Sequence, residues 1–441
     1  YRNKKNMRKY IFGISLLLLV GLSLYSFTIL HNRSETKTME YQEQTLEKTR
    51  EQQIQTEEKA TRQQVQTEIL SAKVKKEIEQ QVVIDNEKQQ VRVEEIETQR
   101  LSPDKIQVTW NSALDFAVDQ YIVKKRLVFN KEPIGDWENV EVVESGLGEY
   151  TIVDVLDSST PIQYEYQVDV KVADDSLYEA VEGKRVLASN VMVCIDPGHY
   201  AGKNAATGSN SFGYAEGDFT LSLAMQLRDI LKETYGIDSY MTRESGSIIL
   251  DGYTDVVLDK KHISLRGEYA AKQQSNLFIS LHVNANKENA NGYDTWEQPI
   301  SINKTLVFVN LVGEKSDTTL SICNAIGVNL STINYELGLS PMRDFKTVED
   351  ATKIREWTVE YNDSLNEPGT VVCRLNNDMD YYGVLRGATS VGISGIIIEH
   401  GFHTVPQIRE AAQGELFRYW AEADAYGVAY GFGFMKDIAM K

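Results

Sequence analysis

Val191-Met192-Val193-Cys194-Ile195-Asp196-Pro197-Gly198-His199 runs as an apolar strand into an abrupt stop. The Val- and Ile-rich part reads as a buried strand. Pro197-Gly198 cannot continue a central strand and has to turn, so Asp196 and His199 arrive at a sheet edge. In open α/β sheets the carboxyl edge is where ligands and catalytic groups collect. Leu277-Phe278-Ile279-Ser280-Leu281-His282-Val283-Asn284-Ala285 repeats the arrangement, with a His followed by turn-prone Asn284 and Asn286. Gly395-Ile396-Ile397-Ile398-Glu399-His400-Gly401-Phe402 does so again with a carboxylate where the strand runs out. Glu216, in Gly213-Tyr214-Ala215-Glu216-Gly217, stands just before Phe219, Leu223, Leu227 and Leu231, which keep the four-residue spacing of a helix.

Two His and one carboxylate with an open coordination position form the donor set of hydrolytic zinc sites, and a further carboxylate is needed to move the proton. His199, Glu216, His282 and Glu399 fill those four roles. The motifs around them are IDPGH at 195–199, Glu216 before its helix, Thr242-Arg243, Leu265-Arg266, SLHVNA at 280–285 and IIIEHGF at 396–402. In that order, over residues 191–436, the chain resembles the zinc-dependent N-acetylmuramoyl-L-alanine amidases of type 3, which hydrolyse peptidoglycan. The resemblance implies Zn2+ on His199, Glu216 and His282, and Glu399 as the proton-transferring catalytic residue. It also implies the bond cut, the amide between N-acetylmuramic acid and L-alanine of the stem peptide, in wall remodelling, cell separation or sporulation. The spacing itself supports only metal-assisted amide or ester hydrolysis. A zinc peptidase of the stem peptide therefore stays open, as does a non-catalytic wall-binding or divisome-tethering protein on the same fold.

Other polar residues have plainer expected roles. Arg243 and Arg266 are expected to orient sheet and helix ends through ion pairs, and Asp196 and Asn284 to fix the His tautomers or stabilise turns. His400 and His403 flank Glu399 as candidate substrate contacts, whereas His31 and His262 look incidental. The three cysteines, Cys194, Cys323 and Cys373, give no disulfide framework. Cys194 is close enough to the site to be weighed as a thiolate ligand, but its Val and Ile neighbours favour a small buried hydrophobe.

The 441 residues suffice for two or three domains, and the net charge of -18 argues against nucleic acid as a partner. Arg2, Lys4, Lys5, Arg8 and Lys9 precede an uncharged run from Ile11 to Leu30. That run of about 20 residues is long enough to cross a bilayer, and the basic flank puts the N-terminus in the cytoplasm. Residues 1–33 are thus expected to anchor the chain in the cytoplasmic membrane, with everything later on the cell-wall side. With Tyr1 at its head, the chain is expected to start upstream or at Met7. Residues 34–99 hold neither Gly nor Pro and are rich in Glu, Gln, Lys and Arg, which suggests a helical or coiled-coil stalk over 34–100. From 101 to 190 apolar and polar residues alternate, as in Ile106-Gln107-Val108-Thr109-Trp110, and the early Trp with the late Tyr164-Glu165-Tyr166 resembles a fibronectin type III sandwich. The expected α/β catalytic domain, a mixed twisted sheet with helices on both faces, fills 191–441. Within it, 338–378 has little periodicity and reads as an irregular insertion that could act as a lid. A protein activator or divisome partner would suit an enzyme that has to be restrained from cutting its own wall.

Overall fold

The computed structural model describes residues 64–76, 88–114, 116–204, 214–285, 297–310, 317–341, 355–358, 369–376 and 379–440. The expected anchor, most of the stalk and Gly292 to Trp296 lie outside them. Among the described residues no helix is long and apolar enough to cross a membrane. The chain divides into two units, Tyr1–Asn86 and Glu87–Lys441. Of the first, residues 64–76 form a helix, α1, with Val65, Ile69 and Leu70 exposed.

The second unit opens with β1 (Gln89–Val91) and β2 (Ile96–Ser102), which moves the start of the β domain into what the composition assigns to the stalk. The reason is a period-two pattern hidden among Gln and Glu: Val91, Val93, Ile96, Thr98 and Arg100 are all buried while most residues between them face out. Then follow β3 (Lys105–Asn111), β4 (Val118–Phe129), β5 (Glu132–Glu144), β6 (Glu149–Val155), β7 (Gln163–Val172), β8 (Tyr178–Ala180) and β9 (Arg185–Ser189). A three-stranded sheet, β2-β3-β6, faces a four-stranded one, β5-β4-β7-β9, and every pairing within them is antiparallel. Trp110, Tyr121, Ile152, Tyr166 and Val168 fill the space between.

Only Asn190 and Val191 separate β9 from the strand that carries IDPGH, β10 (Met192–Pro197). Helix α2 (Glu216–Tyr235) follows, burying Thr220, Leu223, Leu227 and Leu231 at helical spacing, and ends on Gly236 in the left-handed region, φ 63°. A side chain at Gly236 would also meet the Ala188 nitrogen at 2.5 Å, so only Gly permits this approach to β9. The chain continues through β11 (Asp238–Met241), β12 (Ile249–Leu250), β13 (Tyr253–Thr254), α3 (Asp255–Lys261), α4 (Ser264–Glu268), β14 (Leu277–Asn284) and β15 (Leu306–Val309). It ends with α5 (Asp317–Glu336), β16 (Arg355–Thr358), β17 (Val371–Asn376), β18 (Met379–Asp380), α6 (Gly383–Ser390), β19 (Gly395–Phe402), α7 (Pro406–Ala411) and α8 (Leu416–Gly431).

The catalytic sheet has the order β11-β10-β14-β19-β15-β17-β16, with β18 beside β17. It is mixed: β10, β11, β14 and β19 are mutually parallel and β15 runs antiparallel to β19. One face buries Val193, Ile195, Leu281 and Ile398 under residues of α2, α5 and α8, and the other buries Cys194, Phe278 and Ile397 under residues of α6. The stretch 338–378 is not an irregular excursion in its described parts. Its Val371–Asn376 and Arg355–Thr358 segments pair in parallel and extend the sheet beyond β15. The remaining residues of the expected lid lie outside the described residues.

The sandwich is bolted to the catalytic sheet. Arg100, 3% exposed, donates to the carbonyls of Asn190, Gln273 and Gln274 at 2.9, 2.7 and 2.9 Å. Gln163 donates to the Tyr235 carbonyl at 2.7 Å, and Asn190 to those of Pro103 and Thr160 at 2.8 and 2.9 Å.

Candidate active site

Because β10, β14 and β19 are adjacent and parallel, their carboxyl ends bring His199, His282 and Glu399 together, with Glu399 directly opposite His282 in register. The β14–β19 register then slips between His282 and Asn284, a bulge at the sheet edge of the kind that re-aims side chains. His199 lies just past the turn with φ 61°, an uncommon conformation for a residue with a Cβ. Gly198 is obligatory there, since a Cβ would lie 2.4 Å from His282 Cε1 and 2.5 Å from the Leu281 carbonyl oxygen.

Glu216 is the first residue of α2, and its carboxylate sits between the two imidazoles. Its Oε2 is 3.1 Å from His199 Nε2 and its Oε1 is 3.1 Å from His282 Nδ1. The Val283 N–H donates to Oε1 at 3.0 Å and the Asn204 amide to Oε2 at 2.7 Å. Burial opposes its ionisation, but the two imidazoles hold the Glu216 carboxyl well below its usual range. Burial likewise opposes a charge on His199, yet Glu216 raises its pKa.

The donor set fits a zinc ion. One atom from each of His199, Glu216 and His282 lies within 4.8 Å of the others. Tetrahedral ligands about 2.1 Å from zinc stand roughly 3.4 Å apart, which falls inside that span, while the two 3.1 Å His–Glu contacts are each made by a different Glu216 oxygen. Glu399 lines the same cleft of ≈ 330 Å³, together with Asn204, Ile263, Tyr382 and His403. Its Oε2 is shut off from solvent and has no hydrogen-bond partner among the described residues, and burial pushes its carboxyl up to about 8.

Asp196 and His400 differ from expectation, while the other neighbours take one of the roles expected of them. Asp196 touches neither imidazole; it accepts from Thr242, from Ser280 at 2.7 Å and from Arg266 at 2.8 Å. Asn284 turns its side chain back to the Ala285 N–H at 2.7 Å. His400 is no substrate contact: it is fully buried, with Nε2 2.8 Å from Asp424 Oδ2 and Nδ1 3.0 Å from the His282 carbonyl. His403 does line the cleft, stacked on Tyr214 with ring centroids 5.2 Å apart. Burial holds it near a pKa of about 4, and hence neutral. Cys194 is fully buried with its thiol pushed up by desolvation, and it is absent from the donor cluster. His262 stacks on Tyr253. His31 lies outside the described residues.

Asn204, Tyr382 and the Val283 N–H are site groups that the sequence did not single out. None carries a signal of its own. Asn204 follows a loop with no periodicity, and Tyr382 is placed by the start of α6.

A relative from Buchnera aphidicola subsp. Baizongia pistaciae (strain Bp), provisionally named an N-acetylmuramoyl-L-alanine amidase, is 28% identical over 127 residues. That match takes in 29% of this chain and only about half, 52%, of the relative. Among solved structures, the N-acetylmuramoyl-L-alanine amidase AmiC2 of Nostoc punctiforme aligns at 19% identity over 55% of this chain and 97% of its own, with a TM-score of 0.34. The CwlD amidase of Clostridioides difficile, solved in complex with the GerS lipoprotein, aligns at 17% identity over 55% and 98%, with a TM-score of 0.36. The profile of one family, described as N-acetylmuramoyl-L-alanine amidase, matches residues 193–429. That span is more than half of the chain and contains all four side chains that meet in the cleft, and by this match the chain belongs to the N-acetylmuramoyl-L-alanine amidase family.

Proposed function

We propose that the chain is a zinc-dependent peptidoglycan hydrolase that cuts the amide between the lactyl group of N-acetylmuramic acid and L-alanine of the stem peptide. The observation that carries this reading is the partnerless Oε2 of Glu399 beside a three-donor cluster in one cleft. His199, Glu216 and His282 would hold the ion. When bound, zinc supplies Lewis acidity, polarising the scissile carbonyl and making water acidic enough to attack near neutral pH. The Glu399 carboxylate would accept the proton of the attacking water and deliver it to the departing amine nitrogen. Its raised pKa suits both halves of that task, and a nearby cation brings the value down toward neutrality. Asn204 and the Val283 N–H hold the Glu216 carboxylate in place. Neutral His403 forms part of the cleft wall against which the substrate is laid.

The uncharged run Ile11 to Leu30 supports a single-pass anchor in the cytoplasmic membrane, with the catalytic unit on the wall side. The paired antiparallel sheets around Trp110 support a fibronectin type III-like module. A protein activator or divisome partner belongs to the same proposal, since an enzyme that attacks its own cell wall requires restraint.

The test is digestion of purified peptidoglycan by the zinc-loaded full chain, with the released ends read by mass spectrometry. Free L-alanine amino termini and unsubstituted lactyl carboxyls are expected. Cuts within the stem peptide would make it a peptidase, and intact peptidoglycan would leave a wall-binding protein.

A further inference from the structure

Two arginines lie beneath the turn that presents His199, and they are neutralised differently. Arg266 meets Asp196 at 2.8 Å and Asp259 at 2.9 Å. Arg243 is equally buried, 4% exposed, yet among the described residues all its hydrogen bonds go to neutral oxygens, and Asp196 acts on it only through space. Its Nε donates to the Pro197 carbonyl at 3.0 Å and its Nη1 to that of Ser245 at 2.9 Å. Its Nη2 donates to the Gly198 carbonyl and to Thr220 Oγ1, both at 3.2 Å, and to the Gly217 carbonyl. The expectation that both arginines act through ion pairs therefore holds only for Arg266. A buried charge with no carboxylate hydrogen-bonded to it is expensive, so its geometry has to serve something.

Its partners show what that is. Pro197 and Gly198 immediately precede His199, and Gly217 immediately follows Glu216. One rigid, planar guanidinium thus joins the peptide groups beside two of the three metal-ligating residues. His199 also needs holding, because a left-handed non-Gly residue is strained and persists only where its surroundings enforce it. The carbonyls of 197, 198 and 199 are all taken: Arg243 holds the first two, Thr220 Oγ1 adds a 2.7 Å bond to the second, and Arg266 donates to the third at 2.7 Å.

We propose that Arg243 is a positioning residue for the metal site, setting the separation of His199 and Glu216 through the carbonyls next to each. This rests on the zinc reading above. Lys at the same position keeps the charge but loses the fork, because an ammonium is a point charge without the guanidinium's fixed planar donors. Removing the charge altogether has the opposite electrostatic sign. A cation site that loses a neighbouring positive charge should bind its metal more tightly. Weaker binding in a neutral variant would therefore report lost geometry and not lost charge.

The experiment titrates metal-free full-length protein with Zn2+ against a chromogenic chelator, and with Co2+ to read the ligand-field spectrum. Arg243→Lys and Arg243→Met are each expected to weaken Zn2+ binding by about 10–100-fold and to alter the Co2+ spectrum. Unchanged or tighter binding in both, with circular dichroism and Tm showing folded protein, would overturn the inference. Should Arg243→Met fail to fold, Thr220→Val removes the hydroxyl that donates to the Gly198 and Gly217 carbonyls and accepts from Arg243, leaves the guanidinium in place, and carries the same test at smaller amplitude. Unchanged affinity in that variant and in Arg243→Lys overturns the inference just as well. Wild-type protein that takes up no metal defeats the zinc reading and this inference with it, whereas normal wild-type binding with unaffected variants defeats the inference alone.

Discussion

Asp154 in the sandwich and Glu399 at the catalytic edge are both carboxylates drawn into the interior of the same unit, and they are treated in opposite ways. Both oxygens of Asp154 accept from Lys125 Nζ, at 3.0 and 2.8 Å, and the Tyr166 hydroxyl adds a 2.6 Å bond, so the pair crosses between the two sheets fully satisfied. Glu399 has one oxygen with no partner among the described residues and a carboxyl pushed up to about 8 by burial. A scaffold minimises its unsatisfied polar atoms, whereas a site that handles protons keeps one in reserve. The contrast is between these two carboxylates, since the sandwich too has buried atoms without a partner among the described residues, Trp110 Nε1 and Gln167 Oε1.

The largest expected effect tests the catalytic side. Glu399→Gln keeps the shape and removes the proton acceptor, so turnover on purified peptidoglycan should fall by about 10²–10⁴-fold while zinc content, read by elemental analysis, stays at the wild-type level. Zinc lost together with turnover would move Glu399 into the ligand set and dissolve the contrast.

The sandwich side is next in size. Asp154→Ala strands a buried ammonium and should cost about 3–5 kcal/mol in denaturant unfolding. Lys125→Met combined with Asp154→Leu should recover most of that loss, and turnover per folded molecule should not change in either. A folded Asp154→Ala protein without activity would mean that the sandwich takes part in the chemistry.

The smallest effect sharpens the comparison through pH. Glu399 titrates near 4.5 when unfolded and near 8 when folded, so the folded state holds that proton more tightly. Its contribution to stability is fully present below about pH 4.5 and is lost as pH rises through about 8. Glu216, whose pKa is lowered, contributes in the opposite sense, losing its stabilisation as pH falls. Differencing against Glu399→Gln isolates the first term. The Tm of metal-free wild type should decline from about pH 5 to pH 9 relative to that variant, and parallel curves would remove the buried-proton account of Glu399.

The catalytic edge was legible because its signals are local and blunt. An apolar run that ends at Pro197-Gly198, or at a His or Glu, announces both the strand and what it presents. The β domain's first strands were hidden because Gln and Glu between Val91, Val93 and Ile96 give the segment the composition of a helical stalk, and only the alternation betrays it. β16 and β17 were missed since four- and six-residue strands at the rim of a sheet, parted by polar sequence, leave little periodicity to read. Arg243 illustrates a deeper limit. Its motif position was visible, but whether it meets carboxylates or carbonyls depends on chain segments that come together only in three dimensions.

The junction between sandwich and catalytic sheet leaves no room for a hinge. Two residues connect β9 to β10, Gly236 brings the end of α2 against the backbone of β9, and Arg100 of the sandwich reaches across to carbonyls of the linker and of the α/β domain. Domain pairs ordinarily swing about their linkers. Here the cleft has no independent bearing. It can be pointed only by turning the sandwich, so the orientation in which the cleft meets an extended substrate is inherited from whatever grips the β domain.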